Sequence, residues 1–168
     1  MKLLHKLYTL CGLLSGLFLV LICLLVIAQI LARQFGGMVP SADEFAAYAM
    51  AASGFLALPY ALQRGAHIRV ELLYRLLSSR GRFIAEVLSN LVGLGISLYL
   101  AWYCALFVIE SYEFKEVSSG LLPIPMWIPQ LPLLLGTSVL VVAMAERLIV
   151  GCQGQRFESP DACSAMSE

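Results

Sequence analysis

Four long stretches without charged residues divide this chain. They cover residues 7–32, 45–63, 87–109 and 117–145, and their lengths are 26, 19, 23 and 29 residues. A helix needs about 20 apolar residues to cross roughly 30 Å of hydrocarbon. We therefore predict an all-α integral membrane protein with a four-helix transmembrane domain at 1–152. The predicted transmembrane helices lie at about 4–32, 41–63, 82–112 and 126–150.

Composition indicates the same class of protein. Hydrophobic residues make up 60% of the 168 residues and charged residues only 13%, with a mean hydropathy of +0.85. A soluble domain of this size carries far more charge. The formal net charge of zero gives no indication of nucleic-acid binding, so the partner that composition predicts is the lipid bilayer.

The first stretch has a cleavable signal peptide as its alternative interpretation, because Lys2 and Lys6 precede it. The apolar part of such a peptide spans about 7–15 residues and ends at a site of small residues. This stretch is longer and has no Ala-x-Ala pattern at its end, which favours a retained helix.

Positive residues cluster in alternate connections between the stretches. They lie at the amino terminus, between the second and third stretches, and after the fourth stretch: Lys2, Lys6, Arg64, Arg69, Arg75, Arg80, Arg82, Arg147 and Arg156. The other two connections carry more acidic than basic residues. By the positive-inside rule, we predict that both termini and the middle connection lie in the cytoplasm.

The middle connection is the most charged segment, QRGAHIRVELL at 63–73. Its glycine at position 65 is a natural helix stop. Residues 67–79 then place apolar side chains on one face and the i,i+4 pair Glu71 and Arg75 on the other. We predict an amphipathic helix in the headgroup plane, and we call this helix together with residues 64–66 before it the cytoplasmic elbow. His67 is interpreted as a contact residue, with a pH sensor or a ligand as the alternative. After the last predicted helix, residues 153–168 are interpreted as a disordered cytoplasmic tail.

Small residues recur every four positions in three stretches, a spacing that lets helix backbones approach closely in lipid. The candidate packing ridges are Gly12 and Gly16; Ala49, Ser53 and Ala57; and Ser89, Gly93, Ser97 and Ala101. The spacing leaves open whether each ridge faces a helix of this chain or of another subunit, and the Gly12–Gly16 pair also fits chance. Trp127 is expected to be an interfacial anchor, and Ser41 or Asp43 to cap the second helix.

The apolar stretches contain no Asp, Glu, Lys, Arg or His. Ion-coupled carriers usually place such a residue or a broken helix at mid-membrane. The two histidines lie outside the membrane core, which leaves no axial ligands for haem, and the five cysteines form no C-x-x-C motif. We therefore predict no catalytic, cofactor or metal site. The alternatives are a membrane anchor for a redox enzyme and a self-sufficient small four-helix exporter.

Two motifs resemble a known transporter family. The segment GAHIRVELL at 65–73 follows an apolar helix that ends in Leu-Gln-Arg, and LPIPMWIP at 122–129 precedes the last predicted helix. Both are similar to segments of the small membrane subunit of tripartite ATP-independent periplasmic (TRAP) transporters, the DctQ-like family. The similarity extends over roughly 33–147, and Glu71 stands where family members often have Asp.

The resemblance implies an accessory subunit of the bacterial inner membrane, not an enzyme. A large membrane subunit would bind sodium and transport the solute, and a periplasmic binding protein would deliver an organic acid anion. Dicarboxylates, keto acids, sialic acids and sugar acids all remain open. The expected helix contacts with the large subunit are the ridges of the second and third helices or the bulky face of the first. The expected elbow contacts are Arg64, Gly65, His67, Arg69 and Glu71.

Overall fold

The computed structural model describes residues 2–64, 79–120 and 122–152. These residues form four helices: α1 at Lys2–Gln34, α2 at Ala42–Gln63, α3 at Ser79–Glu113 and α4 at Trp127–Cys152. All four are long and apolar enough to cross a membrane, which confirms the all-helical class and the number of spans. The predicted elbow helix at 67–79 lies, apart from its last residue, outside the described residues, as does the predicted tail at 153–168.

The helices pack as a row in the order α1, α2, α4, α3. Each middle helix contacts two neighbours, whereas each outer helix packs mainly on one. The apolar spans of α2 and α4 are accordingly 33% buried, but those of α1 and α3 are only 11% and 6% buried. Most of the surface of the two outer helices is therefore left to lipid or to another chain.

The two middle helices approach each other closely at Gly136. A Cβ atom built on this residue would lie 2.5 Å from the carbonyl oxygen of Phe55 and 2.6 Å from its carbonyl carbon. Pro59 has no N–H group, so that carbonyl lacks the donor that residue 59 would normally supply. Pro59 is buried inside α2. The two helices are thus close at a point where a proline has left a carbonyl without its donor and a glycine leaves room for that carbonyl.

Short polar and small side chains join α1 to α2. Gly12 lies under the ring of Tyr60, where an added Cβ would be 2.6 Å from the ring carbon Cγ. One turn further along, the Ser15 hydroxyl donates a hydrogen bond of 2.9 Å to the carbonyl of Ser53. Both serines are buried, so the bond forms where water does not compete.

The start of α2 differs from the expected cap. Ser41 holds the N-cap position in a left-handed conformation, with φ of 57°, and its side chain makes no capping hydrogen bond. Its hydroxyl instead accepts the N–H of Leu122 at 3.2 Å. Asp43 accepts a hydrogen bond of 2.9 Å from Gln29 of α1. Ser41 therefore holds the predicted N-cap position, but its side chain does not cap the helix because it bonds to the α3–α4 loop. Asp43, the other predicted cap, is wrong as well, because it lies inside α2 and bonds to α1.

Two helices end in the same backbone motif. At the end of α1, Gly36 is left-handed with φ of 72°, and the N–H of Gly37 bonds to the carbonyl five residues earlier at 2.8 Å. At the end of α3, Lys115 takes the left-handed position with φ of 50°, and the N–H of Glu116 bonds to the Ser111 carbonyl at 3.1 Å. These are Schellman motifs, in which glycine is the usual left-handed residue.

Candidate functional site

Side chains of three helices meet at the end of the helix bundle where α2 ends, which we call the elbow end. The Tyr8 hydroxyl of α1 donates a hydrogen bond of 2.8 Å to the Glu146 carboxylate of α4. The neighbouring guanidinium of Arg147 donates to the carbonyl of Leu62 in the last turn of α2. A positive charge is favourable there, because helix carbonyls point toward the carboxyl end. The elbow end therefore joins α1, α2 and α4 by charge-assisted hydrogen bonds.

Of the five predicted elbow residues, the structure describes Arg64. It follows the last residue of α2, and its guanidinium lies over the Tyr60 ring at 5.3 Å from the ring centroid. The adjacent Gln63 hydrogen-bonds to His5 of α1. The chain therefore leaves α2 from a position held by side chains of α1 and α4. The other four residues lie outside the described residues: Gly65, His67, Arg69 and Glu71.

At the opposite end of the helix bundle, where α2 begins, the loop between α3 and α4 folds over the first turns of α2. The Ser118 hydroxyl donates to the Glu44 carboxylate at 2.7 Å and accepts from the Tyr48 hydroxyl at 3.2 Å. Gly120 lies directly against the Glu44 carboxylate, where an added Cβ would collide with it. This end, which we call the loop end, is thus closed by polar contacts between α2 and the loop.

A second polar chain at the loop end joins α4 to α3. The Gln130 amide donates to the Ser111 hydroxyl at 2.8 Å, and that hydroxyl donates to the Glu116 carboxylate at 2.8 Å. Gln130 is only 5% exposed. Its oxygen Oε1 is buried without a hydrogen-bond partner among the described residues. Burying an oxygen without a hydrogen-bond partner costs about 1–3 kcal/mol of folding free energy. The two hydrogen bonds of this polar chain partly offset that cost.

The predicted ridges of α1 and α2 meet in part. Gly12 contacts Tyr60 and Ser53 is bonded to α1, as described above, whereas Gly16 has no atom within 4 Å of where a Cβ would lie. In α2, Ala49 is also buried and Ala57 is half-buried. The structure therefore brings Gly12 and Ser53 into the α1–α2 contact and leaves Gly16 on the surface.

The predicted ridge of α3 lies mainly against α4. A Cβ on Gly93 would be 3.1 Å from the terminal methyl carbon of Met144, and Ser97 is buried. Ala101 is half-buried, whereas Ser89 is exposed. The ridge of α3 is thus used largely within this chain.

Trp127 is the first residue of α4 and is half-buried. Its ring packs edge-to-face against Tyr112 of α3, with ring centroids 6.0 Å apart. The two aromatic side chains lie at the loop end, next to the polar chain of Gln130.

Sequence reasoning missed three features of the structure: the close approach of α2 and α4 at Gly136, the hydrogen bond of Tyr8 and the buried amide of Gln130. Gln130 is the only amide side chain in the uncharged stretch 117–145, which could have singled it out. For Gly136 and Tyr8 no such local signal exists, because their partners lie on other helices.

The described residues offer interhelical hydrogen bonds and broad apolar faces. Within the described ranges, no group of three or more His, Cys, Asp or Glu side chains could hold a metal ion. These features define a multi-pass helical membrane protein. The family model of the DctQ component of tripartite ATP-independent periplasmic transporters matches residues 22–154, and the chain belongs to this family of transporter components. No curated protein matched the chain in a sequence comparison.

Proposed function

We propose that this chain is the small accessory membrane subunit of a TRAP transporter in the bacterial inner membrane, with both termini in the cytoplasm. There it braces a large sodium-coupled membrane subunit while that subunit takes up an organic acid anion delivered by a periplasmic binding protein. The observation that carries this proposal is the match to the DctQ component over residues 22–154.

The distribution of charge supports an accessory role. The charged side chains of the described residues lie near the ends of the helices, as Lys6, Arg33, Glu110 and Glu146 illustrate. A site that couples transport to an ion normally needs an ionisable side chain or a broken helix at mid-membrane. Sodium binding and solute movement therefore fall to the large subunit, and this chain needs no cofactor of its own.

The open row of helices supports a bracing role. The middle helices pack against each other at Gly136 and are bonded to their neighbours at the elbow end and the loop end. By contrast, α1 and α3 expose most of their spans. A row of this kind presents wide faces to a second membrane protein. We place the cytoplasmic contacts with the large subunit at the elbow: Arg64, Gly65, His67, Arg69 and Glu71.

The proposal is tested by purifying the tagged chain from its own host in mild detergent and identifying co-purified proteins by mass spectrometry. We expect a large membrane protein with many spans, and we expect uptake in proteoliposomes only when both chains are present. Isolation of this chain alone as a stable homo-oligomer, or transport by this chain alone, would contradict the proposal.

The elbow contacts are tested in the same assay. Replacing Arg64, His67, Arg69 and Glu71 together with alanine should reduce the co-purified large subunit at least tenfold. The matched control replaces Arg33, Asp43, Glu113 and Lys115, which lie in or beside the two other connections. The control removes four charges, whereas the elbow variant removes three charges and a histidine. Unchanged assembly and uptake in the elbow variant would remove the elbow from the interface.

A further inference from the structure

Three aromatic side chains project from α3 on the side opposite α4. Tyr99, Trp102 and Tyr103, which we call the aromatic patch, are 65%, 66% and 53% exposed. Gly93 and Ser97 mark the side of α3 that packs on α4. At about 100° per residue, Tyr99 points roughly 200° away from Ser97 around the helix axis. The patch therefore faces away from every helix that the structure places in the row.

The aromatic patch lies at hydrocarbon depth. The midpoint of α3 falls at residue 98 if the uncharged stretch 87–109 is centred in the membrane, and at residue 100 if the whole span Val87–Glu113 is centred. With a rise of 1.5 Å per residue, the patch lies within about 8 Å of the midpoint, whereas the hydrocarbon ends about 15 Å from it. Side chains on a helix lean toward its amino terminus, which moves the Tyr103 hydroxyl closer to the midpoint.

Lipid cannot satisfy the polar groups of this patch. The rings of Tyr99 and Tyr103 lie 4.5 Å apart, so the two hydroxyls can bond to each other. One such bond uses one of their two O–H donors, and the indole N–H of Trp102 adds a further donor. No third partner for these groups occurs among the residues that the structure describes. Tyr and Trp usually lie at the membrane surface, where water and headgroups accept these donors.

The other outer helix shows a different surface at the same depth. The span of α1, Leu4–Gln34, has its midpoint at residue 19. Around it, Leu17, Leu19 and Val20 are about as exposed as the aromatic patch, at 60%, 59% and 60%. These aliphatic side chains are fully satisfied by lipid tails. At this depth the side chains of the two outer helices are thus similarly exposed, but only those of α3 need hydrogen-bond acceptors.

We propose that the aromatic patch binds the large membrane subunit, by packing against a transmembrane helix that presents acceptors to the remaining phenol O–H and to the indole N–H. The proposal rests on the accessory function proposed above. Gly95, one turn before Tyr99, is exposed and has no atom within 4 Å of where a Cβ would lie, so a partner helix can approach the backbone there. Buried Tyr and Trp side chains are also the residues that contribute most to protein interfaces.

Site-specific photocrosslinking in the assembled transporter tests the proposal. Benzoylphenylalanine is placed at position 99, 102 or 103 of the full chain, and at 17 or 20 of α1 as the matched control, and the complex is irradiated in native membranes. We expect at least tenfold more adduct with the large subunit from the α3 positions. Adducts with a second copy of this chain, adducts with lipid alone, or large-subunit adducts mainly from α1 would each overturn the proposal.

A second variant separates the hydroxyl groups from the aromatic area. The double substitution Tyr99→Phe with Tyr103→Phe should reduce the co-purified large subunit about fivefold and leave the amount of this chain in the membrane unchanged. Leu17→Ala with Val20→Ala is the control and should retain the large subunit. Full retention by the double phenylalanine variant would refute the requirement for acceptors.

The two proposals fail in different ways. If the unmodified chain co-purifies no large membrane subunit, the accessory function is wrong. If it does co-purify that subunit, but the aromatic patch gives no adduct with it, the accessory function stands and the assignment of the patch is wrong.

Discussion

Replacing Gly136 with alanine should loosen the contact between the two middle helices. The new methyl carbon would lie 2.5 Å from the Phe55 oxygen and 2.6 Å from the Phe55 carbonyl carbon. Both are backbone atoms, so no rotation of a side chain relieves the contact. Widening the 2.5 Å separation to the 3.4 Å of ordinary contact requires α2 and α4 to separate locally by about 0.9 Å.

The size of the effect follows from two opposing contributions. An extra carbon in a well-packed interior costs about 1–3 kcal/mol. Alanine in place of glycine recovers up to about 1 kcal/mol of helix propensity. Because α1 and α3 each rest on one of the two middle helices, a separation at Gly136 also disturbs their packing. We expect a net loss of about 1–2 kcal/mol in the free energy of unfolding.

Thermal unfolding in detergent measures this loss, with Gly54→Ala as the matched control. Gly54 is a helical glycine of α2, is exposed, and has no atom within 4 Å of where a Cβ would lie. Gly136→Ala should melt about 2–8 °C below the unmodified chain, by the conversion of about 2–4 °C per kcal/mol for soluble domains of this size. Gly54→Ala should melt at the same temperature or higher. Equal melting of the two variants would refute the close approach.

Three further substitutions use the same unfolding assay. Tyr8→Phe keeps the ring but removes the hydrogen bond to Glu146, and should cost about 1.5–3 kcal/mol because the acceptor is charged; no loss would mean that this bond does not join α1 to α4. Ser15→Ala leaves the Ser53 carbonyl without its interhelical donor and should cost about 0.6–2 kcal/mol, whereas an unchanged melting temperature would contradict a contribution from this bond. Lys115→Gly should instead add up to about 1 kcal/mol, because Lys115 has a φ of 50°; a decrease would show that its side chain is needed.

The number of spans and the family could be predicted because their signals are local in sequence. A stretch such as 87–109 is too long and too apolar for any other common structure, whatever surrounds it. The charge of Arg64 at the end of the second stretch marks its limit in the same way. The family signal is also local, because it depends on two short motifs in order along the chain.

The pairing of the helices could not be predicted from the spacing of small residues. A step of four residues turns about 40° around a helix of 3.6 residues per turn, so a long ridge drifts away from any straight neighbour. Ser97 and Gly93 lie against α4, but Ser89, at the end of the same ridge, is exposed. Gly136 carries no signal of its own, because its role depends on a carbonyl of α2 that Pro59 leaves without a donor.

The two outer helices differ in the chemistry of their exposed surfaces, so the two sides of the row are suited to different surroundings. Both are barely buried within the chain, yet α1 presents aliphatic side chains at mid-membrane and α3 presents the aromatic patch. In lipid alone, the exposed face of α1 is stable, whereas that of α3 leaves phenol and indole donors unpaired. A partner on the α3 side removes this cost, and a partner on the α1 side does not. Under the accessory function proposed above, the chain is therefore stabilised most when α3 faces the large subunit and α1 faces the bilayer.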